Sequence, residues 1–291
     1  MKALKRLFGG LELTWPRVIA AALIAGAYTG LMAMLPITKD TSFRNIAISF
    51  EGWILLGVLI IMNSRSPLDS ALKCFVFFLI SQPLCYLVQV PFSSLGWGIM
   101  DYYRNWIIWT LLTLPMGYFG WYLKKDKWWG LLILTPPMLL LGYQLSLFAA
   151  LTAYWLPHHL LSTLFCIAVL ILCPLAIFED KKVRTAGLVI SGLIILAALG
   201  IAVLRPNVYN TTVLTDGGDA GAVFDGTYSA RLEDESFGTV SISYNENIES
   251  WMVDAGFRRG GRTNLILEDA HGGKTVYELD IGYSNFTVTK K

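Results

Sequence analysis

The sequence predicts a membrane α-helical bundle of seven transmembrane helices followed by a small all-β domain, a sandwich or a barrel. Three observations carry that expectation. The 291 residues are 55% hydrophobic and 15% charged, with a mean hydropathy of +0.54, more apolar than a soluble domain of this size. Apolar stretches long enough to cross a bilayer as helices recur as far as Leu204. From Asn207 onward the hydrophobic period changes to two and the chain becomes polar and Gly-rich. The expected organisation is an inner-surface amphipathic segment over 1–15, a seven-helix domain over 16–205 and an extracytoplasmic β domain over 206–291.

The first 15 residues combine Lys2, Lys5 and Arg6 with Leu4, Leu7, Phe8 and Leu11, a basic amphipathic pattern suited to a membrane surface. The apolar run that follows is long for a cleaved signal peptide and no A-x-A site ends it, so it reads as a retained first span. That span covers 16–35, and its small residues Ala25, Gly26, Ala27 and Gly30 allow close helix packing. The second, over 46–62, is the shortest and carries Glu51. Ser66, Pro67 and Asp69 then spell a helix start, with Ser66 as N-cap and Pro67 at the first position. The third span covers 68–90 and contains Pro83. The fourth, over 103–123, contains Pro115 and ends on a basic turn of Lys124, Lys125 and Lys127. The fifth covers 128–150 with Pro136 and Pro137. The sixth, over 156–178, opens on Pro157, His158 and His159. The seventh covers 183–204, roughly 33 Å at 1.5 Å per residue.

Orientation follows from the basic residues near the span ends. With the N-terminus inside, twelve fall on inner segments and four on outer ones, Lys39, Arg44, Arg104 and Arg205. The bias breaks if 46–62 does not cross. Aromatic residues mark both interfaces: Trp121, Tyr122, Trp128 and Trp129 inside, Trp97, Tyr102, Tyr103, Trp106, Tyr154 and Trp155 outside. An odd number of spans puts the C-terminal part outside. That part holds 13 acidic and 7 basic residues, the rest of the chain 8 and 16, so charge is divided between the two parts. Neither carries a basic run of the kind that binds nucleic acid.

In the C-terminal part Tyr228, Ala230 and Leu232 alternate with polar neighbours, as do Val240, Ile242 and Tyr244. Trp251, Val253, Ala255 and Phe257 share a face, as do Tyr277, Leu279 and Ile281. The pairs Gly260-Gly261 and Gly272-Gly273 suit two-residue hairpins. About six or seven short strands in this length point to a sandwich or barrel. Expected core residues include Trp251 and Phe257.

Polar residues cluster toward the expected outer ends of the spans: Glu51, Gln89, Arg104, Asn105, Gln144, His158 and His159. Ionisable groups at membrane depth are costly and usually face a bundle interior or a wet cavity, so these seven form a candidate outward-facing pocket. The plainer reading places them at headgroup level, where polarity costs little, with Glu51 paired to Arg44 or Arg104. Pro83, Pro115 and Pro136 interrupt three spans, as in transporters that line midplane sites with broken helices, but proline is ordinary in membrane helices and a kink without function is the favoured reading. Adjacent histidines point about 100° apart on a helix, so His158 and His159 read as a cap or interfacial pair rather than a metal site. Cys74, Cys85, Cys166 and Cys173 all lie in apolar segments and read as small core residues. Asp216, Asp219 and Asp225 lack the spacing of an EF-hand loop and read as turn formers. Asn210 and Asn285 head glycosylation sequons. No cofactor or metal is called for.

The chain has no G-x-S-x-G, H-E-x-x-H, Walker or G-x-G-x-x-G motif, which puts binding ahead of catalysis. The leading expectation is an anchored extracytoplasmic β domain that binds an envelope protein, polymer or small-molecule ligand, or serves as an accessory subunit of an envelope complex. The alternatives are a transporter or channel subunit using the polar pocket, and an intramembrane enzyme using Glu51, His158 or His159. The cysteine-free C-terminal part fits a bacterial plasma membrane.

Overall fold

The computed structural model describes residues 2–39, 41–204, 208–218, 221–246, 248–283 and 285–291, with the side chains of Lys2 and Ala3 left aside. Arg205, at the expected outer end of the last span, and Asp219, one of the three turn aspartates, lie outside the described residues. The chain forms two compact units. One comprises 1–148 and 158–200, the other 149–157 and 201–291.

The first unit is helical. Its helices are α1 (Lys2–Leu7), α2 (Trp15–Met34), α3 (Ser42–Ile48), α4 (Phe50–Met62), α5 (Pro67–Leu87), α6 (Asp101–Gly120), α7 (Trp128–Tyr154), α8 (Leu160–Ile177) and α9 (Lys181–Leu204). Five of them, α2, α5, α7, α8 and α9, are long and apolar enough to cross a membrane, and α3 with α4 make a sixth if the bent pair is one span. Helix α6 is long enough, but its start is Asp101, Tyr102, Tyr103, Arg104 and Asn105, and it is not apolar enough to be among them. Seven spans therefore need both the bent pair and α6.

The local sequence explains several boundaries. Ser66 caps α5 by accepting a hydrogen bond from the Asp69 amide at 3.1 Å, with Pro67 in the first turn. Lys73, one turn on, is buried and pairs with Asp69 at 2.8 Å. Helix α2 lies against α5 through Gly26 and Gly30. A Cβ on either would fall 2.5 Å from the Ser81 carbonyl oxygen and 2.6 Å from that of Cys85 respectively, so only glycine permits the approach. Helices α5, α6 and α7 run on through Pro83, Pro115 and the Pro136-Pro137 pair. The sixth stretch begins later than the sequence suggests: α8 starts at Leu160, with His159 as its N-cap residue. The second stretch is two helices, not one.

Within the second unit lie β1 (Tyr209–Thr215), β2 (Ser229–Leu232), β3 (Gly238–Asn245), β4 (Ser250–Phe257), β5 (Gly261–Glu268), β6 (Lys274–Ile281) and β7 (Phe286–Lys290). They form two antiparallel sheets, ordered β1-β4-β3 and β2-β5-β6-β7. Both sheets contribute to one core: Val253, Ala255 and Phe257 from the first, Leu265, Leu267, Tyr277, Leu279 and Ile281 from the second. That is the two-sheet alternative of the expected β domain. Tyr154, from the last turn of α7, belongs to the same core, and its hydroxyl donates to the Gly282 carbonyl at 2.9 Å. A bulge in β1 at Val213 turns both Val213 and Leu214 into the core.

The hairpin reading of the glycine pairs is corrected. Gly260 and Gly261 carry the chain from β4 in one sheet to β5 in the other, so no hairpin forms there. Gly272 and Gly273 do sit between paired strands, but in a longer loop: Glu268 faces Lys274, and Asp269 accepts from the amides of His271 and Gly273. Trp251 is half-buried and stacks edge-on against Tyr244. The fully buried aromatic of that strand is Phe257.

Candidate functional site

Ser49 separates α3 from α4. It is in extended conformation, with φ −95° and ψ 171°, and the two helices meet at a bend of 49°. No proline is present. The Ser49 hydroxyl donates back to the carbonyl oxygen of Asn45, one turn earlier, and a serine that bonds this way competes with helical geometry. The break puts Glu51 in the first turn of α4, where a carboxylate interacts favourably with the unsatisfied amides of a helix start.

Glu51 is fully buried. Its Oε1 lies 3.2 Å from Ser49 Oγ. Its Oε2 is buried and has no hydrogen-bond partner among the described residues. The Asn45 side-chain amide nitrogen and His159 Nδ1 are hydrogen-bonded at 2.6 Å. His159 is buried and stacks on Phe148, with ring centroids 6.4 Å apart and planes 10° apart. Around this line, Ser42 Oγ donates to the His158 carbonyl at 2.9 Å, Ser162 Oγ to the Ser42 carbonyl at 3.4 Å, and Thr29 Oγ1 to the Ala47 carbonyl at 3.1 Å. Buried Cys166, on α8, lies within electrostatic reach of Glu51. Four helices, α2, α3, α4 and α8, thus bring polar groups to one buried region.

Of the seven residues singled out in the sequence, Glu51 and His159 belong to this group, joined through Ser49 and Asn45. His158 contributes its backbone carbonyl, while its side chain is exposed. Gln89 bonds within its own turn, to the Cys85 carbonyl at 2.8 Å. Arg104 and Asn105 are exposed at the start of α6, and Gln144 is half-buried on α7. No ion pair joins Glu51 to Arg44 or Arg104 among the described residues; its carboxyl accepts from its own backbone amide and from the Ser49 hydroxyl. The residues the sequence reading passed over are Ser42, Asn45 and Ser49. Their spacing of three and four puts them on one helical face directly ahead of Glu51, a signal that was available.

At the other end of α4, a cavity of about 290 Å³ is lined by Lys5, Phe8, Met62, Lys124, Asp126 and Glu179 among others. Asn63 ties the N-terminal segment down beside it: its side chain accepts from the Leu11 amide at 2.7 Å and donates to the Leu7 carbonyl at 2.8 Å. Lys5 and Glu179 form an exposed pair at 2.8 Å.

Among the described residues no group of three or more His, Cys, Asp or Glu is arranged to hold a metal ion, and the four cysteines are free and buried. Asp216 and Asp225 act as turn formers, accepting from the amides of Phe224 and Thr227. No protein-family model, curated protein or solved structure matches the chain.

Proposed function

We propose that the chain is a seven-span protein of a bacterial plasma membrane that holds its β domain outside the cell as a binding module, for an envelope protein, a polymer or a small-molecule ligand. The observation that carries this reading is the separate core of the β unit, closed by two sheets and built without disulfides. The spans in this proposal are α2, the bent pair α3–α4, α5, α6, α7, α8 and α9. Helix α6 qualifies through its surface: Ile107, Ile108, Leu111, Leu112, Met116 and Phe119 are all exposed. In water that apolar surface is unfavourable by roughly 25 cal/mol per Å², whereas against lipid the cost disappears. The twelve-to-four division of basic residues then sets the N-terminus inside.

The binding reading is tested with immobilised full-length protein and isolated envelope polymer or envelope membrane protein as probe. Saturable retention by the full chain, lost from a chain ending at Leu204, is expected. Equal retention by both chains contradicts it.

A second reading, transport, is favoured by one specific observation: a fully buried carboxyl stands at a break in an apolar helix. Interrupted spans with polar groups at the break are how transporters build ion and substrate sites. In that reading Glu51, Ser49, Asn45 and His159 form the polar line of the helical unit.

A further inference from the structure

The β unit has two ends, and its chain connections share one of them. The Val208 amide donates to the Phe257 carbonyl at 2.8 Å, and Tyr209 faces Phe257 in the β1–β4 pairing. Tyr154, in the last turn of α7, bonds to Gly282, and the Trp155 ring packs on Gly260. Strand β4 starts at the other end, at Ser250, and reaches Phe257 over eight residues. At 3.3 Å per residue that separates the ends by about 23 Å. The far end is built from the β3–β4 turn, the start of β4 and the loop between β1 and β2.

Apolar surface collects there. Among the described residues from Val208 onward, the exposed large hydrophobic side chains are Val223, Tyr244 and Ile248. Tyr244 pairs across the ladder with half-buried Trp251, ring centroids 5.2 Å apart, next to the Asn245–Ser250 pair that closes β3 and β4. Ile248 is in the turn itself. The loop carrying Val223 is tied to the same place. The Asp216 amide donates to the Trp251 carbonyl at 2.9 Å and the Phe224 amide to Asp216 Oδ1 at 3.0 Å. Gly226 lies so close to the Trp251 indole that a Cβ would collide with it. An exposed aromatic and aliphatic patch with a polar rim is the anatomy of a protein-binding surface.

The rim has one sign. Neither 207–230 nor 232–257 contains a lysine, arginine or histidine. Glu246 and Glu249 flank Ile248 in the turn, and Asp216 and Asp225 belong to the loop that holds Val223. Among the described residues none of these four forms an ion pair. The second sheet differs: Asp280 pairs with Arg262, Glu268 with Lys274 and Glu278 with Lys291. The patch therefore sits in a negative field that the protein itself does not neutralise.

We propose that this end of the β unit is the docking surface for a basic segment of a partner protein. An apolar side chain of that segment seats on Val223, Tyr244 and Ile248, and its lysines or arginines meet the rim carboxylates. Aromatic anchors at the centre of an interface carry most of the affinity, while complementary charge on the rim sets the choice of partner and the rate of encounter. The inference rests on the binding-module reading and names where the module binds and what chemistry it takes.

The test uses the full chain in phosphatidylcholine nanodiscs, with empty nanodiscs subtracted. The probes are a synthetic lysine-rich peptide with two central leucines and the same peptide with glutamate in place of lysine. Saturable binding of the lysine peptide, weakened by salt, is expected, with none of the glutamate peptide. Tyr244→Ser combined with Ile248→Ser should weaken it about tenfold. Glu246→Gln with Glu249→Gln should weaken it and flatten its salt dependence, whereas Glu268→Gln with Glu278→Gln, the same charge removed from the second sheet, should leave it unchanged. No binding, equal binding of both peptides, or equal loss from the two glutamine pairs overturns the proposal. Self-association of the full chain that the serine pair abolishes, without peptide binding, assigns the patch to a second copy and overturns it too. The serine pair is also put through the retention assay with envelope polymer and envelope membrane protein. Retention that it leaves intact, with no peptide bound, sinks this proposal alone; no retention by the wild-type chain sinks the binding-module reading.

Discussion

At the scale of single residues, burial and hydrogen bonding decide which side chains matter. Trp251 and Phe257 lie on the same face of β4, and the sequence pattern treats them alike. The structure does not: Phe257 is fully enclosed between the sheets, whereas Trp251 is half-buried against Tyr244. Truncating a fully buried phenylalanine costs the transfer energy of the ring plus the cavity left behind, about 3–5 kcal/mol. Phe257→Ala should lower the opening free energy of the β5 and β6 amides by that amount in hydrogen exchange of the full-length protein. Trp251→Ala should lower it by about 1–2 kcal/mol, since only part of its surface is removed from water. An equal effect of the two would contradict the assigned core. Glu51 was legible as an anomaly because an acid in an apolar run stands out locally. Its partner was not. The sequence offers Arg44, Arg104 and two histidines as candidates, and the choice of Ser49 depends on a backbone break that no proline announces.

At the scale of elements, the boundaries set by local chemistry were readable and those set by distant contacts were not. Ser66, Pro67 and Asp69 define the start of α5 through bonds within one turn, and Gly26 and Gly30 mark a face of close packing. Gly260 and Gly261 form the same dipeptide as Gly272 and Gly273, yet one passes between sheets and the other lies in a hairpin loop. The difference lies in which strand each neighbour joins, which no short stretch encodes. The turns of the β unit make a pH prediction. Asp225 is held below its ordinary value of 3.8 by the Thr227 hydroxyl and amide, Asp234 by the Ser236 side chain and amide, and Asp269 by the amides of Gly273 and His271. Each is lower in the folded chain than in the unfolded one, so folding gains from its ionisation. That gain is complete above the unfolded value and is lost as pH falls through the folded values. The melting temperature of the β unit, followed by its infrared β-sheet band, should be level near neutrality and decline on acidification below about pH 4. Replacing all three by Asn should flatten the decline; an unchanged slope would mean these turns do not respond to pH.

At the scale of the whole molecule, composition alone separated the apolar helical part from the alternating β part. What composition could not supply was the count of spans, because α6 is polar at its start and the second apolar stretch is bent. It also could not show that Tyr154, at the end of an apolar helix, belongs to the β core. The central claim is the proposed topology, with the β unit outside. It is tested most directly by single cysteines in intact cells, using a membrane-impermeant thiol reagent. The chain's own cysteines are buried and give a low background. Exposed Ala270, in the β5–β6 loop, and exposed Lys125, in the turn before α7, are the positions to use. Ala270→Cys should react in intact cells and Lys125→Cys only after the membrane is opened. Reaction at Lys125→Cys with none at Ala270→Cys, or equal reaction at both, would contradict the topology.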